Sequence, residues 1–338
     1  MHLKSIIAVL IAAGLTACSF QEVQTQQDEG IPATNIGAVI SAIDTNPFLQ
    51  GMYRSLESVA AENKQLELQL ESSQNNQELQ DQQIEKMIAN GAKALVVNLA
   101  DAKVGKDFAT KMCARGTPVV YINRSPGNKA LQDCEIAHFV SSDDRQAGIL
   151  QAEKVLAAWK VHSEWDKNAD GKMQIAILVG NPAITSAKPR ADWVAESLKF
   201  HPQQGLGSGK VEVLLRETAQ YNQQVAQELI NTWATNNPEF EQVEVIVAGN
   251  DNMALGAAAA LETLGKKIPV FGIDATPAGQ EGVKSGRIFA TIVNDYDTQV
   301  RVAVRMAANL ATQRPVLEGL SVDMDESGTV LVPLRSLN

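Results

Sequence analysis

The sequence predicts an α/β protein of two doubly wound parallel-sheet lobes joined by a multi-strand hinge. Three observations predict it. Short apolar segments run without polar alternation, as strands buried on both faces of a parallel sheet do. They alternate with stretches whose apolar spacing is helical. The alternation also restarts partway along the chain, so two halves share one rhythm. In order, Ile36–Ile43 reads as a strand, Pro47–Asn63 as a helix, and Leu66–Leu70, Ala94–Leu99 and Val119–Ile122 as strands. Gln77–Ala89 and Val104–Arg115 are the helices between them, and Phe139–Ser142 reads as a crossing point. The second series is helix Arg145–Trp159, strand Ile175–Val179, helix Arg190–Lys199, strand Val211–Leu215 and helix Gln223–Thr235. It continues through strand Val243–Ala248, helix Asn252–Leu264, strand Val270–Ile273, strand Ile288–Val293 and helix Asp297–Thr312. The expected lobes are residues 34–140 with 296–328, and 141–295 with 329–338. About 300 residues of body exceed a comfortable single core, which also favours two lobes.

The first residues point to export. Met1-His2-Leu3-Lys4 is a short basic start, and Ser5–Leu15 is an apolar run of signal-peptide length, too short to span a bilayer. Leu15-Thr16-Ala17-Cys18 resembles the bacterial lipoprotein box, in which the Cys becomes the acylated first residue of the mature chain; the alternative is an ordinary signal peptide that contains a Cys. Residues 1–17 are then a signal peptide, and 18–33, rich in Gln and Glu, a lipidated tether. Ser19 after the Cys resembles, among Gram-negative lipoproteins, export to the outer membrane. Lipid is the only membrane attachment expected. A net charge of −10 and a pI near 5.0 argue against nucleic acid or an anionic membrane surface as partner. Cys113 and Cys134 are either a disulfide or two buried thiols, and with no CxxC or Cys/His cluster a zinc site is not expected.

Several function classes lose support by absence. No GxGxxG opens a helix after the first strand, and neither a GxxxxGK[ST] loop nor a GxSxG elbow occurs. The most specific motif is Asp166-Lys167-Asn168-Ala169-Asp170-Gly171-Lys172-Met173-Gln174. Calcium takes six to eight oxygens, and positions 1, 3, 5, 7 and 9 of such a loop offer them from Asp166, Asn168, Asp170, the Lys172 carbonyl and Gln174. Gly171 permits the sharp turn. An EF-hand would carry a bidentate Glu at position 12, where Ile177 stands, and a strand follows instead of a helix. The competing reading is a polar turn.

A loop of this kind in the second lobe of an exported two-lobed protein resembles the periplasmic galactose/glucose-binding protein family, of the type I periplasmic-binding-protein fold class. The likeness runs from about Ile36 to the C-terminus and is carried further by Gln82–Asn98 with its Gly91-Ala92-Lys93-Ala94-Leu95, and by Pro118-Val119-Val120-Tyr121-Ile122-Asn123. It continues in Val247-Ala248-Gly249-Asn250-Asp251, Pro269-Val270-Phe271-Gly272-Ile273-Asp274 and Val293-Asn294-Asp295. The resemblance implies that Glu244 completes the calcium shell. It also implies a sugar site of Asn46, Asn123 and Arg124 from the first lobe, with Arg190, Asn250 and Asp274 from the second and Asn294 at the crossing. Phe48 and Tyr221 match two rings that sandwich the sugar, Tyr221 standing where the family usually has Trp. Rings suit the C–H faces of a pyranose, and planar Asp, Asn and Arg groups suit its hydroxyls. Asn98 reads as hinge-side structure. The bland readings are that Phe48 is core, Asp274 a loop carboxylate and Arg190 a surface cation.

Three departures from the family bear on specificity. Its first-lobe carboxylate falls at Thr45, with Asp44 beside it, and its His and Asp in a second-lobe loop fall at Ile184 and Ser186. The resemblance implies a binding protein that delivers a monosaccharide to the permease and ATPase subunits of an ABC importer, with a chemoreceptor as a further partner. The alternatives are a sensor for another polyol or pentose, a cleft hydrolase, which would need a paired acid and base, and a repressor, against which the missing helix-turn-helix argues.

Overall fold

The structure, a computed structural model, describes residues 30–202 and 205–337. The signal peptide, Cys18 and most of the expected tether lie outside the described residues. The first lobe begins with β1 (Thr34–Ile40), α1 (Pro47–Glu62), β2 (Leu66–Ser72), α2 (Gln77–Ala89) and β3 (Ala94–Val97). It continues with α3 (Gly105–Ala114), β4 (Val119–Ile122), α4 (Asn128–Gln132) and β5 (Ala137–Ser141). The chain then crosses and builds α5 (Asp144–Trp159), β6 (Met173–Val179), α6 (Ala187–Phe200), β7 (Val211–Thr218) and α7 (Gln223–Asn236). The second lobe goes on through β8 (Val245–Ala248), α8 (Asp251–Leu264), β9 (Val270–Asp274), α9 (Pro277–Lys284) and β10 (Ala290–Val293). A return crossing leads to α10 (Tyr296–Ala311) and β11 (Thr329–Leu331), and a last one to β12 (Arg335–Ser336).

The first sheet has the order β11-β5-β4-β3-β1-β2 and the second β12-β10-β9-β8-β6-β7, which is the same winding twice. Every pairing is parallel except β10 with β12. Residues 329–338, expected wholly in the second lobe, are therefore divided. Thr329–Leu331 closes the edge of the first sheet beside β5, and only Arg335–Ser336 joins the second. Phe139–Ser142, expected as a crossing point, begins inside β5, and the crossing follows it.

The unbroken apolar strands make sense because each sheet is covered twice. Along β1, Ile36, Ala38 and Ile40 pack with α1 and α10, whereas Val39 faces the core built with Ile84 of α2 and Met112 of α3. In β6, Ala176 and Leu178 face α7 and α8, while Ile175 and Ile177 face α5 and α6. Period-2 alternation thus sends neighbouring apolar residues into two different cores. Cys113, in α3, and Cys134, just before β5, form a disulfide with Cα atoms 5.9 Å apart.

Candidate functional site

Between the carboxyl ends of the two sheets lies a cleft of about 370 Å³, open at its rim. Open α/β sheets bind ligands at this end, where the strand order reverses. The first lobe lines it with Asn46, Phe48, Leu49, Asn123 and Arg124, and the second with Ile184, Ser186, Arg190, Tyr221, Asn250 and Asp274. Eight of the nine expected ligand residues therefore converge there. The ninth, Asn294, is not in the lining: it stands behind Asp274, donating from Nδ2 to Asp274 Oδ1 at 3.2 Å. Its own Oδ1 accepts from Gln299 Nε2 at 2.7 Å, and that nitrogen also reaches Ser142 Oγ at the first crossing.

Helix starts place two of the lining amides. Asn46 precedes Pro47, a proline at the first helical position, and its Oδ1 accepts from the N–H of Phe48 and Leu49. Asn250 caps α8 in the same way, accepting from Met253 N at 3.0 Å. Each spends its oxygen on a cap and keeps its NH₂ as the group that donates elsewhere. Asn123 holds a left-handed φ of 64°, and its Oδ1 accepts from Asn98 Nδ2. Asn98 is fully buried and also accepts from Ser41, so its hinge-side role is structural. Arg124 donates to the carbonyls of Leu99 and Ala100 at 2.8 and 2.9 Å, and burial lowers its guanidinium pKa against the pull of Asp101.

The strongest electrostatic feature is the Asp144–Arg190–Asp274 cluster. Arg190 Nε donates to Asp144 Oδ1 at 2.9 Å, and Nη1 donates to Asp274 Oδ1 at 3.2 Å and to the Gly249 carbonyl at 2.9 Å. Burial works against the Arg190 charge, but Asp274 and Asp144 overcome it and hold the guanidinium well above its usual value. Burial raises the Asp274 carboxyl, with Arg190 and Asn294 opposing. Asp144 went unrecognised in the sequence because, in the first turn of α5, it reads as a helix-dipole acid. Both carboxylates share one permanent cation, which is unlike the separately tuned acid and base of a hydrolase.

Two rings complete the cleft. Phe48 is buried and packs edge-on against Tyr296, with centroids 5.6 Å apart, so it is a core residue and a wall residue at once. The Tyr221 ring lies over Gly180, where a Cβ would fall 2.1 Å from the ring, so only glycine fits there. Its hydroxyl bonds with Ser186 Oγ at 2.7 Å, and burial pushes it up to about 12. Thr45 and Asp44 are exposed and absent from the lining, so the first lobe contributes no carboxylate to it.

The Asp166–Gln174 loop turns sharply at Ala169 (φ 57°) and Gly171 (φ 69°). Asp166 accepts from the N–H of Asp170 and Gly171, and Asp170 accepts from Lys172 N. Glu244, fully buried, takes Lys167 N at 2.8 Å and Gln174 N at 3.0 Å, and burial raises its pKa. Gln174 Oε1 is buried without a partner. Among the described residues no three His, Cys, Asp or Glu side chains converge closely enough to hold a metal by themselves. The oxygens gathered here are mixed: carboxylates, amides and the Lys172 carbonyl. That mixture, with the orphaned Gln174 oxygen, fits a hard cation such as calcium better than zinc.

Comparison with known proteins agrees with this architecture. The sequence profile of the periplasmic binding protein domain matches residues 36–315. The chain is similar to the D-galactose/methyl-galactoside binding periplasmic protein of Haemophilus influenzae, 30% identical over 95% of this chain and 92% of that one. A solved ABC transporter solute binding protein from Bacillus halodurans with bound myo-inositol is 27% identical, with a TM-score of 0.71 over 91% of this chain and 95% of that one. A second, from Actinobacillus succinogenes with bound D-allose, shares the fold at a TM-score of 0.74 and 22% identity, over 90% and 97% of the two chains.

Proposed function

The chain belongs to the periplasmic binding protein domain family, and from that premise we propose that it captures a monosaccharide or cyclic polyol between its lobes for an ABC importer. The observation that carries the reading is the buried Arg190–Asp274 pair, opening on a cleft that Phe48 bounds from one lobe and Tyr221 from the other. A charged donor and a charged acceptor side by side can each take one hydroxyl of a vicinal diol, and the rings can cover its C–H faces. The ligand then touches both lobes at once and favours the closed state over the open one. The match to the periplasmic binding protein domain supports the reading that the protein acts by binding.

The finer identity of the ligand follows from the departures. With no first-lobe carboxylate and with Ile184 and Ser186 in the second-lobe loop, fewer charged acceptors await the distal hydroxyls than a galactose/glucose site would offer. Glucose and galactose are then not both tight ligands. Calcium in the Asp166–Gln174 loop with Glu244 would cross-link α5, β6 and the start of β8 far from the cleft. The protein would be exported and held to the membrane by lipid on Cys18, facing the periplasm or the cell exterior. No helix among the described residues is long and apolar enough to cross a membrane. A chemoreceptor is a further partner to be tested. A thermal-shift screen over D-galactose, D-glucose, D-allose, D-ribose and myo-inositol tests the reading, because a bound ligand stabilises the folded protein by mass action. A shift with at least one supports it, and no shift with any sinks it.

A further inference from the structure

Behind the second-lobe wall of the cleft lies a buried carboxylate to which ligand capture gives no part. Asp251 is the first residue of α8, next to Asn250, and is 0% exposed. Capping of α8 is done by Asn250. The Asp251 side chain reaches instead to the turn after β9. Its Oδ2 accepts the Thr276 N–H at 2.7 Å and the Thr276 hydroxyl at 2.9 Å, and its Oδ1 accepts the Thr291 hydroxyl at 2.6 Å. Thr291 Oγ1 in turn accepts the Ala275 N–H at 3.2 Å. The N–H groups of both residues that follow Asp274 thus end on Asp251, one directly and one through a hydroxyl.

That turn needs holding. Asp274 sits at φ 113° and Ala275 at φ 50°. Non-glycine residues in such regions cost about 1–3 kcal/mol each and persist only where their surroundings fix them. Room for the carboxyl is kept by Gly272 and Gly279, where a Cβ would fall 2.5 and 1.9 Å from its oxygens. A first-turn acid serving only the helix dipole would require neither that pocket nor those three bonds.

We propose that Asp251 is a positioning residue for the ligand: it fixes the Asp274–Ala275–Thr276 turn and thereby aims Asp274 into the cleft. This rests on the reading that Asp274 meets the ligand. Burial and the neighbouring Asp274 charge push the Asp251 carboxyl up to about 7. Asparagine has the same shape: its amide oxygen can take the Thr276 N–H and hydroxyl, while its NH₂ donates to Thr291 Oγ1 in place of accepting the Thr291 hydroxyl.

The test compares the full-length protein with its Asp251→Asn and Asp251→Ala variants near neutral pH. Calorimetry with D-galactose, D-glucose, D-allose and myo-inositol selects the tightest ligand and measures it in all three. Hydrogen exchange is followed at the Ala275 and Thr276 amides without ligand. Asp251→Ala is expected to bind about 10- to 100-fold more weakly, because buried donors lose their acceptor, and to exchange faster at those two amides. Asp251→Asn, which keeps the Thr276 bonds and reverses the one to Thr291, is expected to recover most of both. A carboxylate with a merely structural role would lower the melting temperature of both variants without separating their affinities. If the parent binds none of these ligands, the sugar reading fails by itself, and exchange at the two amides decides this proposal. If the Ala variant does not fold, Thr291→Val takes its place: it removes the hydroxyl that links the Ala275 N–H to Asp251, while the Thr276 N–H bond stays. Parental affinity in Asp251→Ala, unchanged exchange at the turn, or failure of the Asn variant to rescue overturns the proposal.

Discussion

Replacing Arg190 by Met removes a charge while nearly preserving side-chain volume. The Arg190 and Asp274 side chains are 7% and 6% exposed, so the change leaves a buried carboxylate, with Asp144 nearby, and no cation between them. Breaking a buried ion pair from one side costs about 3–5 kcal/mol. Part of this cost is charge and must depend on pH. Burial already raises the Asp274 carboxyl against the pull of Arg190, so losing Arg190 raises it further. A carboxyl with a raised folded pKa keeps its proton longer in the folded chain. Stability then falls as pH climbs from the unfolded value, ~4, to the folded one. The deficit of Arg190→Met relative to the parent should therefore widen with pH, by about 1.4 kcal/mol for each added pKa unit. We expect a deficit of about 3–5 kcal/mol at pH 8, and one smaller by at least ~1.4 kcal/mol at pH 5. Urea unfolding followed by tryptophan emission measures it in the right lobe, since Trp159, Trp165, Trp193 and Trp233 all belong to the second lobe. A deficit below about 1 kcal/mol, or one that does not change with pH, would refute the reasoning.

Three further outcomes are expected. Chelation should lower the melting temperature by about 5 °C, since calcium at 100 times its Kd stabilises by about 2.7 kcal/mol, while ligand affinity stays within about twofold; an unshifted melting curve at low free calcium removes the site. Ser186→Asp should raise affinity for hexoses with a free anomeric hydroxyl by about tenfold, one charge-assisted bond's worth, and calorimetry showing tight, equal binding of glucose and galactose by the parent would end the specificity claim. Cys18→Ser should move the protein from the membrane fraction to the soluble one, and full retention on membranes would exclude lipid as the anchor.

Much of this was legible in the sequence because long apolar runs with helical or unbroken spacing leave little choice of element. Gln77–Ala89 and Val119–Ile122 fall where the pattern puts them. What escaped was short or locally ambiguous. α9 (Pro277–Lys284) carries Gly279 and Gly282, poor helix formers that the packing against Leu255 and Asp251 requires. β11 and β12 are three and two residues long, so the lobe each joins is set by the crossings and not by propensity. In the site, residues at strand ends such as Asn123, Asn250 and Asp274 were implied by the family resemblance, and the rule that open α/β sheets bind ligands at that end agrees with them. Asp144 went unnoticed and Asn294 lies behind the wall, because which polar group reaches the cleft depends on side-chain direction, and spacing does not encode that.

The repeated crossings also bear on how the chain acquires its shape. Neither lobe is one continuous stretch: the first-lobe core joins Ile36 and Val96 to Val300, Val304 and Val330. Folding ordinarily proceeds domain by domain from the N-terminus as the chain emerges. Here the leading half lacks a covering helix and an edge strand until almost the last residues arrive, so its hydrophobic face stays unfinished throughout synthesis. Contacts this distant in sequence slow the search for the folded state. A chain that must be threaded through a membrane before folding gains time from that delay.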